Sequence, residues 1–159
     1  MKHFYRIFVV ASLLLVSVGV FSQQGSFSLI GKVGYQSDYD RFGFGMDARI
    51  GLVDHIRVVP SFTFMVPNKD ITGLEADLNL QYVFPIGGTA LDIYPLTGLN
   101  MDNNKWSKHG ESRKWTRWGY NIGVGSDYYI TKSDFLNVEF QYTIGRDFAR
   151  IMVGYGYKF

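Results

Sequence analysis

The stretch Ala149-Arg-Ile-Met-Val-Gly-Tyr-Gly-Tyr-Lys-Phe159 limits the fold more than any other part of the chain. Ala149, Ile151, Val153, Tyr155, Tyr157 and Phe159 alternate with Arg150, Met152, Gly154, Gly156 and Lys158. Successive side chains of a strand point to opposite faces, so this segment needs oily surroundings on one side and polar surroundings on the other. The alternation recurs at about 26–36, 41–53, 55–66, 72–84, 89–99, 116–130 and 134–144, making eight segments. The cleanest is the second, where Phe42, Phe44, Met46, Ala48, Ile50 and Leu52 oppose Arg41, Gly43, Gly45, Asp47, Arg49 and Gly51. The weakest is the fifth, where Leu91, Ile93, Thr97 and Leu99 oppose Asp92, Tyr94, Leu96 and Gly98, and Pro95 interrupts. Pro60 is a blemish in the third, because it removes one ladder donor.

An even set of strands, each about 11–13 residues long, fits a tilted membrane barrel. Closure is required as well, since an open sheet leaves unpaired backbone groups in hydrocarbon at several kcal/mol each. After the N-terminus no run of about 20 apolar residues occurs, so strands and not helices must make any span. Aromatics at 17% and 18 glycines agree with a β-rich chain.

The N-terminus reads as a targeting segment. Lys2, His3 and Arg6 precede an apolar run from Ile7 to Val20, and Val20-Phe21-Ser22 offers a small residue at the cleavage edge. Residues 1–22 are expected to be a signal peptide and residues 23–159 the barrel domain, the mature chain starting near Gln23. With no cysteine, the chain has no disulfide, thiolate metal site or thiol nucleophile, and no lipidation site at the cleavage edge. Without Lys2 and Arg6, Lys+Arg falls from 16 to 14 and equals Asp+Glu at 14, so a general nucleic-acid partner is not supported.

Period two alone does not distinguish a membrane barrel from a water-soluble one whose oily face lines a ligand cavity. Three features favour the membrane. The polar face is crowded with glycines, among them Gly34, Gly43, Gly45, Gly119, Gly123, Gly125, Gly154 and Gly156, as a narrow interior needs beside long charged side chains. Aromatics collect near segment ends, at Tyr35, Phe42, Tyr82, Phe84, Trp118, Tyr128, Tyr142, Tyr155, Tyr157 and Phe159, as two interfacial girdles require. The connections also alternate in length. Those near Val53-Asp54, Pro85–Gly88 and Thr131–Ser133 are short, and the one long loop, Asn100–Trp115, falls on the opposite, external side.

The closing strand Ala149–Phe159, Tyr94-Pro95-Leu96-Thr97-Gly98-Leu99 and the steps Gly123-Val124-Gly125 and Gly154-Tyr155-Gly156 resemble the small eight-stranded barrels of the OmpA/OmpX-like porin superfamily, in the form common in Bacteroidota. The resemblance covers Gln23–Phe159. It implies an all-β, eight-stranded, antiparallel up-and-down transmembrane barrel in the outer membrane of a Gram-negative bacterium. It also implies contact with outer-membrane lipid and lipopolysaccharide, and recognition by the barrel-assembly machinery through the strand ending in Phe159. Family roles include adhesion, surface binding and envelope anchoring. Anchoring is not expected here, as no periplasmic domain follows Phe159.

Two sets of residues are candidate sites. The inward face carries Lys32, Asp47, Arg49, Arg57, Glu75, Asp77, Asp92, Glu139 and Arg150, with Arg41 and Lys158, read as an ion-paired plug because a buried charge needs a partner. An ion or proton path is the alternative. The external loop interleaves Lys105, Lys108, Arg113, Lys114 and Arg117 with Trp106, Trp115 and Trp118, a pattern suited to phosphate, sugar or an interface. Asp38, Asp40 and Asp147 at the rim could hold calcium, but a solvated turn is the preferred reading, and no metal or cofactor is expected. The mature chain has only His55 and His109, predicted on opposite sides of the membrane, and neither forms a Ser/His set. The expected function is a non-enzymatic barrel that is structural or binds a surface through its loop. A narrow solute channel and a lipid A-modifying enzyme are the alternatives.

Overall fold

The computed structural model describes residues 26–68, 71–108 and 111–159, with the side chains of residues 107, 108 and 111 left aside. The proposed signal peptide, His109 and the side chain of Lys108 lie outside the described residues. Nearly all the rest is strand: β1 Phe27–Gln36, β2 Arg41–Val53, β3 Ile56–Asn68, β4 Ile71–Tyr82, β5 Phe84–Pro85, β6 Leu91–Lys108, β7 Glu111–Tyr129, β8 Asp134–Ile144 and β9 Phe148–Lys158. Each long strand pairs antiparallel with its neighbours, and β9 returns to β1 with an unbroken register from Ser28↔Lys158 to Gln36↔Arg150. The result is a closed eight-stranded barrel in which β5 is a two-residue continuation of β4.

The Pro60 and Pro95 positions mark lapses in the ladder. β2 pairs β3 at Asp47↔Ser61 and again at Ile50↔Val58, with the Pro60 position between them unpaired on that side. β4 pairs β6 at Gln81↔Leu96, and β5 resumes the same register at Phe84↔Ile93, leaving a gap at Pro95. Proline brings no N–H to either place. Beside the second gap, Val83 donates its N–H to the His55 carbonyl at 2.7 Å and its own carbonyl accepts from the His55 ring at 3.0 Å. His55, with a φ of 67°, is therefore part of the turn that seals this end.

The oily face is outside. Phe42, Phe62, Leu78, Val153 and Tyr155 are all exposed, whereas Arg41, Arg49, Asp47, Glu75 and Arg150 are buried. Tyrosines near the two rims turn their hydroxyls toward turn carboxylates. Tyr35 donates to Asp40 at 2.6 Å and Tyr142 to Asp147 at 3.2 Å at one end, and Tyr155 donates to Asp134 at the other. This places an apolar ring in lipid and its polar tip at the wet edge. The turns at Asp54-His55, 86–90 and Thr131–Ser133 share one end with Phe27 and Phe159, which are joined by an N–H to C=O bond of 2.9 Å. Short turns belong on the periplasmic side of such a barrel.

The expected long loop is not a loop. β6 runs 18 residues and β7 runs 19, paired without a shift from Leu91↔Tyr128 to Lys108↔Glu111. Residues 100–108 and 111–115 are thus the two arms of a β-hairpin that continues the barrel wall outward. Above the membrane both faces of a strand meet water or polar groups, so the oily alternation that revealed the other strands is absent here.

Candidate functional site

The inward face forms bonded layers across the lumen. In the layer nearest the periplasm, the Tyr94 hydroxyl on β6 is the hub. It accepts from Arg49 at 2.9 Å and Asn137 at 2.7 Å and donates to Glu139 at 3.0 Å, which uses all its hydrogen-bonding capacity. Asp127 accepts from Arg49 at 2.7 Å and from Arg57 at 2.8 Å. Lys32 lies 2.7 Å from Asp47 and 3.3 Å from Glu139, and Gln81 donates to Glu139 at 3.2 Å. The Tyr94 ring fits because Gly125 faces it: a Cβ there would lie 2.4 Å from the ring. Gly156 makes the same room for the ring of Phe135.

In the middle layer, Arg150 donates to Glu75 at 2.5 Å, to Asp77 at 2.6 Å and to Gln141 at 2.7 Å. Asp77 also accepts from Asn100 at 2.8 Å and Asn121 at 2.9 Å. In the outermost layer, Arg41 donates to Asn104 at 2.7 Å, Asn104 donates to Asp102 at 2.6 Å, and Arg146 lies 2.6 Å from Asp102. Asp38 sits 3.6 Å from both Arg41 and Arg146. The rim carboxylates are thus engaged by separate partners, and no metal-holding cluster occurs among the described residues.

Of the inward charges singled out in the sequence, Lys32, Asp47, Arg49, Arg57, Glu75, Asp77, Glu139 and Arg150 join these layers. Asp92 does not: it is half-buried at the periplasmic mouth, lining a cleft of about 200 Å³ with His55, Tyr129 and Lys158. Sequence reasoning passed over Tyr94 as a hub, Asp127 as the shared acceptor, and Asp102 and Arg146. Parity sets Tyr94 and Asp127 on the inward face with Asp92 and Gly125, but it does not give their partners.

The basic and aromatic residues of the hairpin divide between two faces. Lys105, Lys114 and Trp118 share the outward face with Leu99 and Tyr120, and Trp118 is 66% exposed. Trp106, Arg113, Trp115 and Arg117 follow the inward parity of Asp102 and Asn104. Lys105 stands directly opposite Lys114. Tyr129 donates its N–H to the Ala90 carbonyl on the β6 side at 2.8 Å, and Ile130 donates to Asp134 on the β8 side at 2.9 Å. With an unshifted register, even-numbered β7 residues therefore turn their backbone groups away from β6. Lys105↔Lys114 is then a non-hydrogen-bonded pair, the kind whose Cα atoms come as close as roughly 4.5 Å. None of Lys105, Arg113, Lys114 and Arg117 makes an ion pair or side-chain hydrogen bond with another described residue.

A closed antiparallel barrel with oily walls, aromatic belts and ionised groups turned inward is a transmembrane β-barrel. The chain belongs to the family described as outer membrane protein beta-barrel domain, which it matches over residues 8–159. No curated protein matches it in sequence. Among solved structures it is similar to the N-terminal barrel of Pseudomonas aeruginosa OprF, with a TM-score of 0.73 and 21% identity over 86% of this chain and 98% of that one. It is similar to Neisserial surface protein A, with a TM-score of 0.65 and 15% identity over 84% and 95%. It is also similar to Ail of Yersinia pestis, whose structure in complex with the heparin analogue sucrose octasulfate gives 0.63 and 20% over 86% and 99%.

Proposed function

We propose that this protein is a non-enzymatic component of the outer membrane that binds the cell-surface layer through its β6–β7 hairpin. The observation that carries the proposal is the Lys105↔Lys114 pair. Like charges directly opposite on one strand face destabilise the pair. An anion between them removes the repulsion. The pair lies four residues beyond Trp118 and Met101, about 14 Å along a strand tilted by roughly 40°, which carries it above the interfacial tryptophan into the polar layer outside the hydrocarbon. Lipopolysaccharide carries phosphate there. Ail is described in complex with a sulfated sugar, and the basic hairpin of this chain suits a ligand of the same charge.

Chemistry on lipid is the weaker reading, because His55 lies at the other end of the barrel with its ring nitrogen at the Val83 carbonyl. Conduction is disfavoured by the bonded layers across the lumen. The test uses refolded protein in nonionic detergent, titrated with lipopolysaccharide and with dephosphorylated lipopolysaccharide. Preference for the phosphorylated form should fall several-fold in a Lys105→Gln, Lys114→Gln double variant. Equal binding by the variant overturns the proposal.

A further inference from the structure

The hairpin has one protected edge and one bare one. On the β6 side, β4 accompanies it as far as Ile71↔Trp106. Beyond β4, the last residue of β3, Asn68, donates to the carbonyls of Tyr39 and Asp40, both at 2.9 Å, which ties that margin to the turn before β2. On the far side, the ladder between β7 and β8 ends at Tyr120↔Ile144. On that side, from Ser112 to Gly119, β7 has no paired strand among the described residues. The alternation established above turns the N–H and C=O groups of Ser112, Lys114, Thr116 and Trp118 toward that open side. Eight residues span about 27 Å, enough for one added strand.

We infer that the outer edge of β7 docks an extended acidic polypeptide segment by strand addition. This rests on the reading of the hairpin as a surface-binding element and adds a partner to it. Backbone groups of the guest complete the ladder, and its side chains alternate between the two faces. Charge selects the guest. Arg113, Lys114 and Arg117 place three cations and no anion on residues 112–119. A second copy of the chain pairing antiparallel over this edge, centred on Trp115, would set Arg113 against Arg117 on one face, a like-charge contact that opposes self-association. A carboxylate-rich strand meets Arg113 and Arg117 on one face and Lys114 on the other.

The experiment uses the full chain in nonionic detergent and a capped eight-residue peptide alternating threonine and glutamate. Tryptophan fluorescence reads binding. The expected result is saturable binding that weakens with salt and is lost at least tenfold for a peptide of equal charge with proline in place of threonine. Thr116→Pro should also weaken it at least tenfold, since the N–H removed is one that β6 does not use. If Thr116→Pro does not fold, the two peptides on wild-type protein decide alone. Equal binding by both peptides, no binding, or dimerisation through this edge overturns the inference. If the peptide fails while phosphorylated lipopolysaccharide still binds, only strand addition falls; if neither binds, the surface-binding reading falls with it.

Discussion

The lumen and the outer hairpin use the same residue types to opposite ends. Arg150 inside the barrel meets Glu75, Asp77 and Gln141 within 2.7 Å. Arg113 and Arg117 on β7 meet no described carboxylate, although Asp102 stands across the ladder from Arg117, because Asp102 is held by Arg146 at 2.6 Å. Inside, a charge without a partner is too costly to keep, so the buried cations Lys32, Arg41, Arg49 and Arg150 are all committed to structure. Outside, water screens the charges and leaves them available to a ligand. Basic residues in this chain therefore carry functional meaning only once their depth along the barrel is known.

The contrast is sharpest at Arg150. Arg150→Met strands two buried carboxylates and should cost about 3–5 kcal/mol, read by urea unfolding in lipid vesicles. A neutral result would mean that the lumen charges are as free as those of the hairpin. Gly125→Val is next: the added Cβ meets the Tyr94 ring, and the expected loss is about 1–3 kcal/mol, seen as a lower temperature for the folded-to-unfolded gel shift. Asn68→Ala removes two bonds that fasten the β3 margin, for about 1 kcal/mol. Faster amide exchange in residues 37–41, with the rest of the barrel unchanged, would check it. The smallest effect belongs to the outer lysines. Lys105→Gln with Lys114→Gln should shift stability by less than about 0.5 kcal/mol, toward gain and not loss, in the same urea assay. A loss comparable to that of Arg150→Met would erase the distinction between the two regions.

Most of the barrel was legible because lipid imposes a simple rule on every residue it touches. The bounds of β2 and β8 coincide with the alternation at 41–53 and 134–144. The rule stops at the membrane surface, and so did the reading: Asn100, Asp102 and Asn104 look like a polar loop, yet they are the inward face of an 18-residue strand. The division of the hairpin's cations into faces depends on the Leu91↔Tyr128 register, which was hidden for the same reason. In the lumen, parity identified the charged face. It did not identify partners such as Arg150 and Glu75, which lie 75 positions apart and meet only because the wall curls round.

The seam between β1 and β9 joins the two ends of the described chain through nine paired positions without a bulge. Sealing it is the longest-range event the fold requires, so the cylinder is an all-or-nothing object. A polypeptide lacking either terminal stave would present two raw margins to hydrocarbon in place of a smaller pore. Nicking at the tip of the hairpin, by contrast, would leave every stave in register, and the two pieces should stay together as one particle.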